Sequence, residues 1–268
     1  MGSIFGSQFR GPIVLCVCLC ALASAQQSSV PTPDPDQLTA VPNRPTISST
    51  AECVQRGVFE TEIGFEAADG HQNINSLWKF GVTRNLEVRF ANLPFDREDG
   101  VAAFGDSQTG FKYRVFPQSK FLPTFSILYM ATLPTAGHNL GASAFGHSFT
   151  LLASKDFGKH HFDWNEGLQL VGRPQPGPRG FDRNYFSALA YSHPLTNQWG
   201  LSGEVAGYSR TNLYTPANLT LLAAATYGVS SRLVIDGGAY YAAFGNLPRV
   251  TFFSGFTYSI ADLYRKRR

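Results

Sequence analysis

Charged side chains recur at every second position in several short segments of the chain. In the segment 107–116, SQTGFKYRVF, Lys112 and Arg114 alternate with Phe111 and Tyr113. Successive side chains of an extended strand point to opposite faces, so one face of this segment is cationic and the other is apolar. Charges that share one face of a barrel could line a pore and tune its selectivity. The same pattern predicts the following lumen-lining residues: Glu60, Glu62, Glu66, Lys79, Glu87, Arg89, Lys112, Arg114, Glu204 and Asp236.

Other residue types that could carry chemistry lack the spacing that such chemistry needs. His147 and Ser148 are adjacent, so in a strand their side chains leave opposite faces and cannot form a nucleophile–base pair. The same holds for His160 and His161, which therefore do not form a metal-binding pair. No G-x-S-x-G motif is present. The sequence predicts no enzyme, no catalytic residue, no metal and no cofactor, although an outer-membrane hydrolase acting on lipids stays an alternative.

The charged positions fall in short segments that are rich in Phe, Tyr, Val, Leu and Thr and bounded by Gly, Pro, Asn or Asp. This texture is typical of β-strands joined by turns. The segments are 58–68, 74–83, 85–92, 107–116, 122–133, 147–157, 160–172, 184–193, 199–210, 217–229, 232–244 and 249–260. We therefore predict an all-β protein, a transmembrane up-and-down antiparallel β-barrel of about 12 strands over residues 51–268.

The connections between these segments alternate in length. Short turns are predicted at 84–85, 158–159, 195–198 and 229–231. Longer links are predicted at 93–106, 134–146 and 173–183, and to a lesser degree at 68–73, 211–216 and 245–248. Short turns at one end and long loops at the other are typical of an outer-membrane barrel with both termini on the periplasmic side.

The low charge content decides which face of the strands meets the surroundings. Charged residues make up 15% of the chain, and Gly, Ala and Ser share the charged face, which is too little charge for a water-exposed surface. The apolar face is therefore predicted to point outward to lipid. Glu166 is an exception, because it shares a face with Trp164 and Leu168. We expect that it lies near a strand end or that a bulge shifts the register. A soluble periplasmic barrel that binds a lipid-like ligand remains an alternative.

The first fifty residues have a composition unlike the rest of the chain. Residues 1–25 carry one charge, Arg10, then an apolar run and Ala23-Ser24-Ala25, which predicts a cleaved signal peptide. Cleavage would leave Cys53 as the one cysteine, so no internal disulfide is expected. Residues 26–50 are rich in Pro, Ser and Thr and are predicted to be a periplasmic linker. The net charge is +3 and there is no basic patch interleaved with aromatic residues, so no nucleic-acid partner is expected.

Several motifs resemble a known family when they are taken in order. They are NRPTISS and RGVFETEIG, then WKFGVTRNLEVRF, AFGDSQTGFKYRVF, FLPTFSILYMATLPTAG, WGLSGEVAGYS and SRLVIDGGAYYAAF. Together they resemble the bacterial outer-membrane barrel family that is labelled MetA-pathway of phenol degradation, a transporter or porin family, over about residues 43–260. The chain departs from this family by continuing past Ile260, so that Tyr258 or Tyr264 would have to serve as the terminal aromatic residue.

The resemblance implies an outer-membrane channel or transporter for small solutes, including hydrophobic or aromatic ones. Its partners would be outer-membrane lipid, the solute and the barrel-assembly machinery, and the oligomeric state is not indicated. A barrel of about eight strands encloses only side chains, whereas 16–18 strands leave a water channel. Twelve strands lie between these cases, so an open lumen and a lumen filled by paired charges are both open alternatives.

Overall fold

The computed structural model describes residues 38–138, 140–142, 144–173 and 179–264. The predicted signal peptide and the first part of the predicted linker lie outside these residues. The strands are β1 (Val58–Ala68), β2 (His71–Gly81), β3 (Leu86–Glu98), β4 (Val101–Ala103), β5 (Ser107–Phe116), β6 (Thr124–Leu133), β7 (Gly146–Phe157), β8 (His160–Gly172), β9 (Phe181–Pro194), β10 (Trp199–Tyr208), β11 (Asn218–Ser230), β12 (Leu233–Phe244) and β13 (Val250–Asp262). The described part of the chain contains no helix, and accordingly none that is long and apolar enough to cross a membrane.

The strands form one antiparallel sheet that closes on itself. Consecutive strands pair with each other except β4 and β5, since β3 pairs with β5 past the short β4, and β1 also pairs with β13. Because β4 pairs only with β3, it extends one hairpin and takes no part in the closure. The barrel wall therefore has twelve strands, and the predicted 12-stranded antiparallel barrel is confirmed.

The strand bounds agree closely with the alternation in the sequence, and β1, β5 and β8 begin and end at the predicted residues. The largest difference is in β3, which runs to Glu98 where the prediction ends at residue 92. A bulge in its pairing with β2 lies in this extension, which contains Pro94. Much of the predicted long link 93–106 is therefore strand, and it turns at Asp99 and Gly100, which both have positive φ.

The barrel has two distinct ends. The turn end carries the connections 82–85, 117–123, 158–159, 195–198 and 231–232, together with the start of β1 and the end of β13. The loop end carries the connections 69–70, 99–106, 134–145, 173–180, 209–217 and 245–249. Two details differ from the predicted alternation: 117–123 is a longer link at the turn end, and 69–70 is a tight turn at the loop end.

The apolar face of the strands points outward. In β5, Phe111 and Tyr113 are 41% and 46% exposed, whereas Lys112 between them is fully buried. A soluble protein buries large apolar groups and leaves charges in water, so this arrangement is inverted. The outer surface of the barrel suits a hydrocarbon surrounding, and the interior is polar.

Glu166 lies on the outward face, near the centre of β8. Neither predicted explanation applies, because the residue is far from both strand ends and β8 pairs with β7 and β9 without a bulge. Instead, the carboxylate accepts hydrogen bonds from Trp164 Nε1 at 3.0 Å and from Ser187 Oγ at 2.6 Å. These two neighbouring donors pair with the carboxylate, which the apolar surroundings of the outward face cannot do.

The described part of the predicted periplasmic linker lies inside the barrel, where wall side chains bind its backbone. Residues 39–55, here called the inner segment, have no regular secondary structure. The segment starts at the turn end, where Ala40 N donates to Ser231 O at 2.8 Å. It reaches Glu204 on β10 through Ile47 and Ser48 and then returns to the start of β1. Its composition cannot build a core, but the wall of the barrel supplies partners for its backbone.

Candidate functional site

Carboxylates of the barrel wall bind backbone N–H groups of the inner segment. Glu204 accepts hydrogen bonds from Ile47 N and Ser48 N, both at 2.7 Å, and Glu87 accepts one from Val54 N at 2.7 Å. The same contact recurs between Glu60 and Val41 N and between Glu62 and Asn43 N, each at 2.9 Å. A segment without secondary structure leaves its backbone donors unpaired, and a buried unpaired donor is costly. Inward-facing carboxylates therefore take the place of a neighbouring strand.

Two buried lysines bind the carbonyl groups of the same segment. Lys79 Nζ donates to Val41 O at 2.7 Å, and Lys112 Nζ donates to Thr50 O at 3.1 Å and also to Glu52 O. Both side chains are inaccessible to solvent. Because ammonium groups carry only donors and carboxylates carry only acceptors, the alternating charges of the wall match both kinds of backbone group.

Arg44 occupies the part of the inner segment that lies deepest beside β1, β12 and β13. Its guanidinium donates to both Asp236 oxygens, at 3.0 and 3.1 Å, and to Asn75 Oδ1 at 3.1 Å. Gly64 and Gly255 face each other beneath it, and a Cβ on either would come within 2.0–2.6 Å of the guanidinium. These glycines make the space that Arg44 fills.

The structure places all ten predicted lumen residues on the inward face, but most of them hold the inner segment. Nine contact it through side-chain hydrogen bonds: Glu60, Glu62, Lys79, Glu87, Arg89, Lys112, Arg114, Glu204 and Asp236. Glu66 is different, because its carboxylate accepts from Asn73 and Asn75 and lines a cavity at the loop end.

Sequence reasoning missed several residues that anchor the inner segment. Asn165 Oδ1 accepts from Ser49 N at 2.7 Å and Asn165 Nδ2 donates to Ser49 O at 3.0 Å. Ser154 Oγ accepts from Ala51 N at 2.7 Å. Neutral polar residues are common on both faces of strands, so nothing marked these two positions. Arg44 was missed because its segment shows no alternation.

One side of the interior is aromatic. Phe186 and Tyr208 pack with their ring centroids 4.8 Å apart, and Tyr240 and Phe253 pack at 4.6 Å. Ile47 of the inner segment packs against the first pair. We call these four rings, on β9, β10, β12 and β13, the aromatic wall. The aromatic wall shares β10 and β12 with the inward carboxylates Glu204 and Asp236.

Three cavities lie around the inner segment. The vestibule, a cavity of about 750 Å³ at the loop end, has Ile47 at its inner limit. A second cavity of about 620 Å³ lies at the turn end, between the inner segment and β8–β12. A third of about 310 Å³ lies between the inner segment and β2–β6. Each of the two larger cavities is of the size that binds small ligands in proteins.

Comparison with solved structures shows what this architecture is similar to. An outer membrane channel from Pseudomonas putida F1 superposes with a TM-score of 0.64 at 10% identity, over 80% of this chain and 99% of that chain. NanC porin superposes with a TM-score of 0.58 at 9% identity, over 75% and 100% of the two chains. KdgM porin gives a TM-score of 0.55 at 9% identity, over 75% and 99%. At these identities the likeness shows the fold.

No family model and no curated protein matches the sequence. The solved structures show that the chain has the closed antiparallel barrel fold that outer-membrane channels and porins share. Its resemblance to the MetA-pathway family stays a prediction.

Proposed function

We propose that this protein is an outer-membrane channel or transporter for small solutes, with a lumen that the inner segment closes in the state described. The main support for the proposal is the position of this segment and the hydrogen bonds that hold it there. It lies between cavities at the two ends of the barrel, and its bonds run mainly to side chains of the wall. The segment could therefore leave without breaking a strand pairing, and its departure would join the cavities.

The proposed location in the outer membrane follows from the outer face of the barrel. Exposed aromatic and aliphatic side chains cover the outer face, as a barrel in a bilayer requires and as a soluble periplasmic barrel does not. The proposal includes export through a cleaved signal peptide, insertion by the barrel-assembly machinery, and an extracellular loop end. Small hydrophobic or aromatic solutes, which the MetA-pathway resemblance implies, fit an interior that has one aromatic wall.

Single-channel recording and liposome swelling test this proposal. The mature chain, beginning at residue 26, is refolded and inserted into planar bilayers and into liposomes. We expect detergent-dependent solubility, small conductance steps, and larger steps in the Glu204→Gln variant, which loosens the inner segment. Glu66→Gln, the same change at a carboxylate that does not touch the segment, is the matched control. Correctly inserted barrels without ion or solute flux in any of the three proteins would reject a channel.

A further inference from the structure

One side of the vestibule is acidic. Carboxylates of the β1–β2 and β3–β4 hairpins line it, namely Glu66, Asp69, Glu98 and Asp99. None of the four forms an ion pair within the residues that the structure describes, and no Lys or Arg of that part lines the cavity. Uncompensated carboxylates around a concave surface concentrate cations there.

The opposite side of the vestibule presents unused hydrogen-bond acceptors. Asn184 is 5% exposed and its Nδ2 donates to Ser209 O at 3.0 Å, but its Oδ1 is buried and has no hydrogen-bond partner among the described residues. The Oδ1 of Asn218 is likewise buried and unpartnered, and both asparagines line the vestibule. A buried acceptor without a donor is costly. An N–H donor of a ligand could pair with either oxygen once the asparagine side chain turned toward the cavity.

Aromatic rings complete the vestibule between these two sides. Tyr208 and Tyr240 of the aromatic wall line it, and Ile47 lies at its inner limit. The face of a tyrosine ring attracts a cation, and the rings offer apolar contact to the remainder of a ligand.

We propose that the vestibule binds organic cations, specifically a protonated amine that carries an aromatic or other apolar group. The ammonium would lie toward the carboxylates, and the apolar group would lie against the tyrosines and Ile47. Among the described residues, no group of three or more His, Cys, Asp or Glu side chains is placed to hold a metal ion. Dispersed carboxylates suit the diffuse contacts of an organic cation. The inference rests on the proposed function only in that a solute bound here would be the one transported.

Calorimetric titration with three phenyl compounds of similar size tests the inference. The probes are 2-phenylethylammonium, 2-phenylethanol and 3-phenylpropionate, titrated into the full mature chain in phosphatidylcholine nanodiscs, with empty nanodiscs subtracted. We expect one ammonium per chain, bound about tenfold or more tightly than either other probe, since each factor of ten needs only about 1.4 kcal/mol.

Two exposed residues at the β3–β4 turn can be changed without altering the inward face of the barrel. Glu98→Gln/Asp99→Asn removes two carboxylates, and Asn tolerates the positive φ of position 99. It should weaken ammonium binding by about tenfold, the loss of two partly screened contacts, and leave phenylethanol binding unchanged. Asp156→Asn, at an exposed carboxylate of the turn end, is the control and should change neither ammonium binding nor phenylethanol binding.

Equal affinity for the three probes, tighter binding of phenylpropionate, or unchanged ammonium affinity in the double variant would overturn the inference. Binding is measured without flux, so its failure and that of the proposed function are distinguishable. A chain that binds the ammonium but does not conduct would sustain the binding site and reject the channel. A chain that conducts without preference for the ammonium would reject the binding site alone.

Discussion

Replacing Glu204 with glutamine should release the innermost part of the inner segment. The carboxylate is 5% exposed and accepts two hydrogen bonds, from Ile47 N and Ser48 N, at 2.7 Å each. In the Glu204→Gln variant the amide oxygen can keep one of these bonds, whereas the amide NH₂ group faces the other backbone N–H, donor against donor. The side chain keeps its volume, so packing is almost unchanged and the effect isolates the charge and the lost acceptor.

The size of the effect follows from these contacts. A hydrogen bond to a charged group contributes about 1.5–3 kcal/mol, and a donor left buried and unpaired costs a similar amount. Loss of one such bond, with weakening of the other, should cost about 2–3 kcal/mol locally. Since 1.4 kcal/mol is a factor of ten, the displaced population should rise by about 30- to 150-fold.

Hydrogen exchange of the backbone amides measures this directly. The Ile47 and Ser48 amides should exchange about 30- to 150-fold faster in the Glu204→Gln variant than in the parent protein, because opening frees them both. Amides in β8 and β9 should be unaffected. Glu66→Gln provides the matched control, since within the described residues Glu66 accepts hydrogen bonds only from Asn73 and Asn75. If exchange of the two amides changes by less than threefold, Glu204 does not anchor the segment and the reasoning fails.

Three further substitutions test the wall of the barrel. Lys79→Met leaves Glu60 and Glu62 buried without their shared cation, and should lower the free energy of unfolding by about 3–5 kcal/mol in urea titrations of the inserted protein; an unchanged midpoint would contradict this pairing. Glu166→Gln removes a charge from the outward face and should raise stability at pH 8 by about 1 kcal/mol, whereas a loss would mean that the charged hydrogen bonds from Trp164 and Ser187 outweigh the cost of the charge. Phe111→Arg should cost about 2–4 kcal/mol or prevent insertion; a neutral result would show that this face is not in lipid.

The strands could be predicted because their information is local. In β5, the alternation of Phe111 and Lys112 sets both the strand period and the two faces, and low overall charge decides which face points outward. The extension of β3 beyond residue 92 was missed because Pro94 and a bulge interrupt that alternation. Glu166 was recognised as an exception, but its bonds to Trp164 and Ser187 depend on cross-strand geometry that the sequence does not display.

The contents of the lumen could not be predicted, because they depend on contacts between residues that are far apart in the chain. Ser48 and its partner Glu204 are separated by 156 positions, and Arg44 and Asp236 by 192. A segment rich in Pro, Ser and Thr shows no periodicity that would reveal such partners. The inward charges were identified from the strands alone, and their use in binding a backbone became visible only with the fold.

If the inner segment obstructs the lumen of a membrane barrel, its removal should open the pore. The most direct test is single-channel conductance of the full mature chain compared with a chain that begins at Arg56. In the shortened chain Lys79 retains Glu60 and Arg89 retains Glu87, each at 2.6 Å, whereas Asp236 loses Arg44 and Glu204 loses its backbone donors. The shortened chain should show a several-fold larger conductance. Equal conductance of two correctly inserted proteins would mean that the segment does not obstruct the pore.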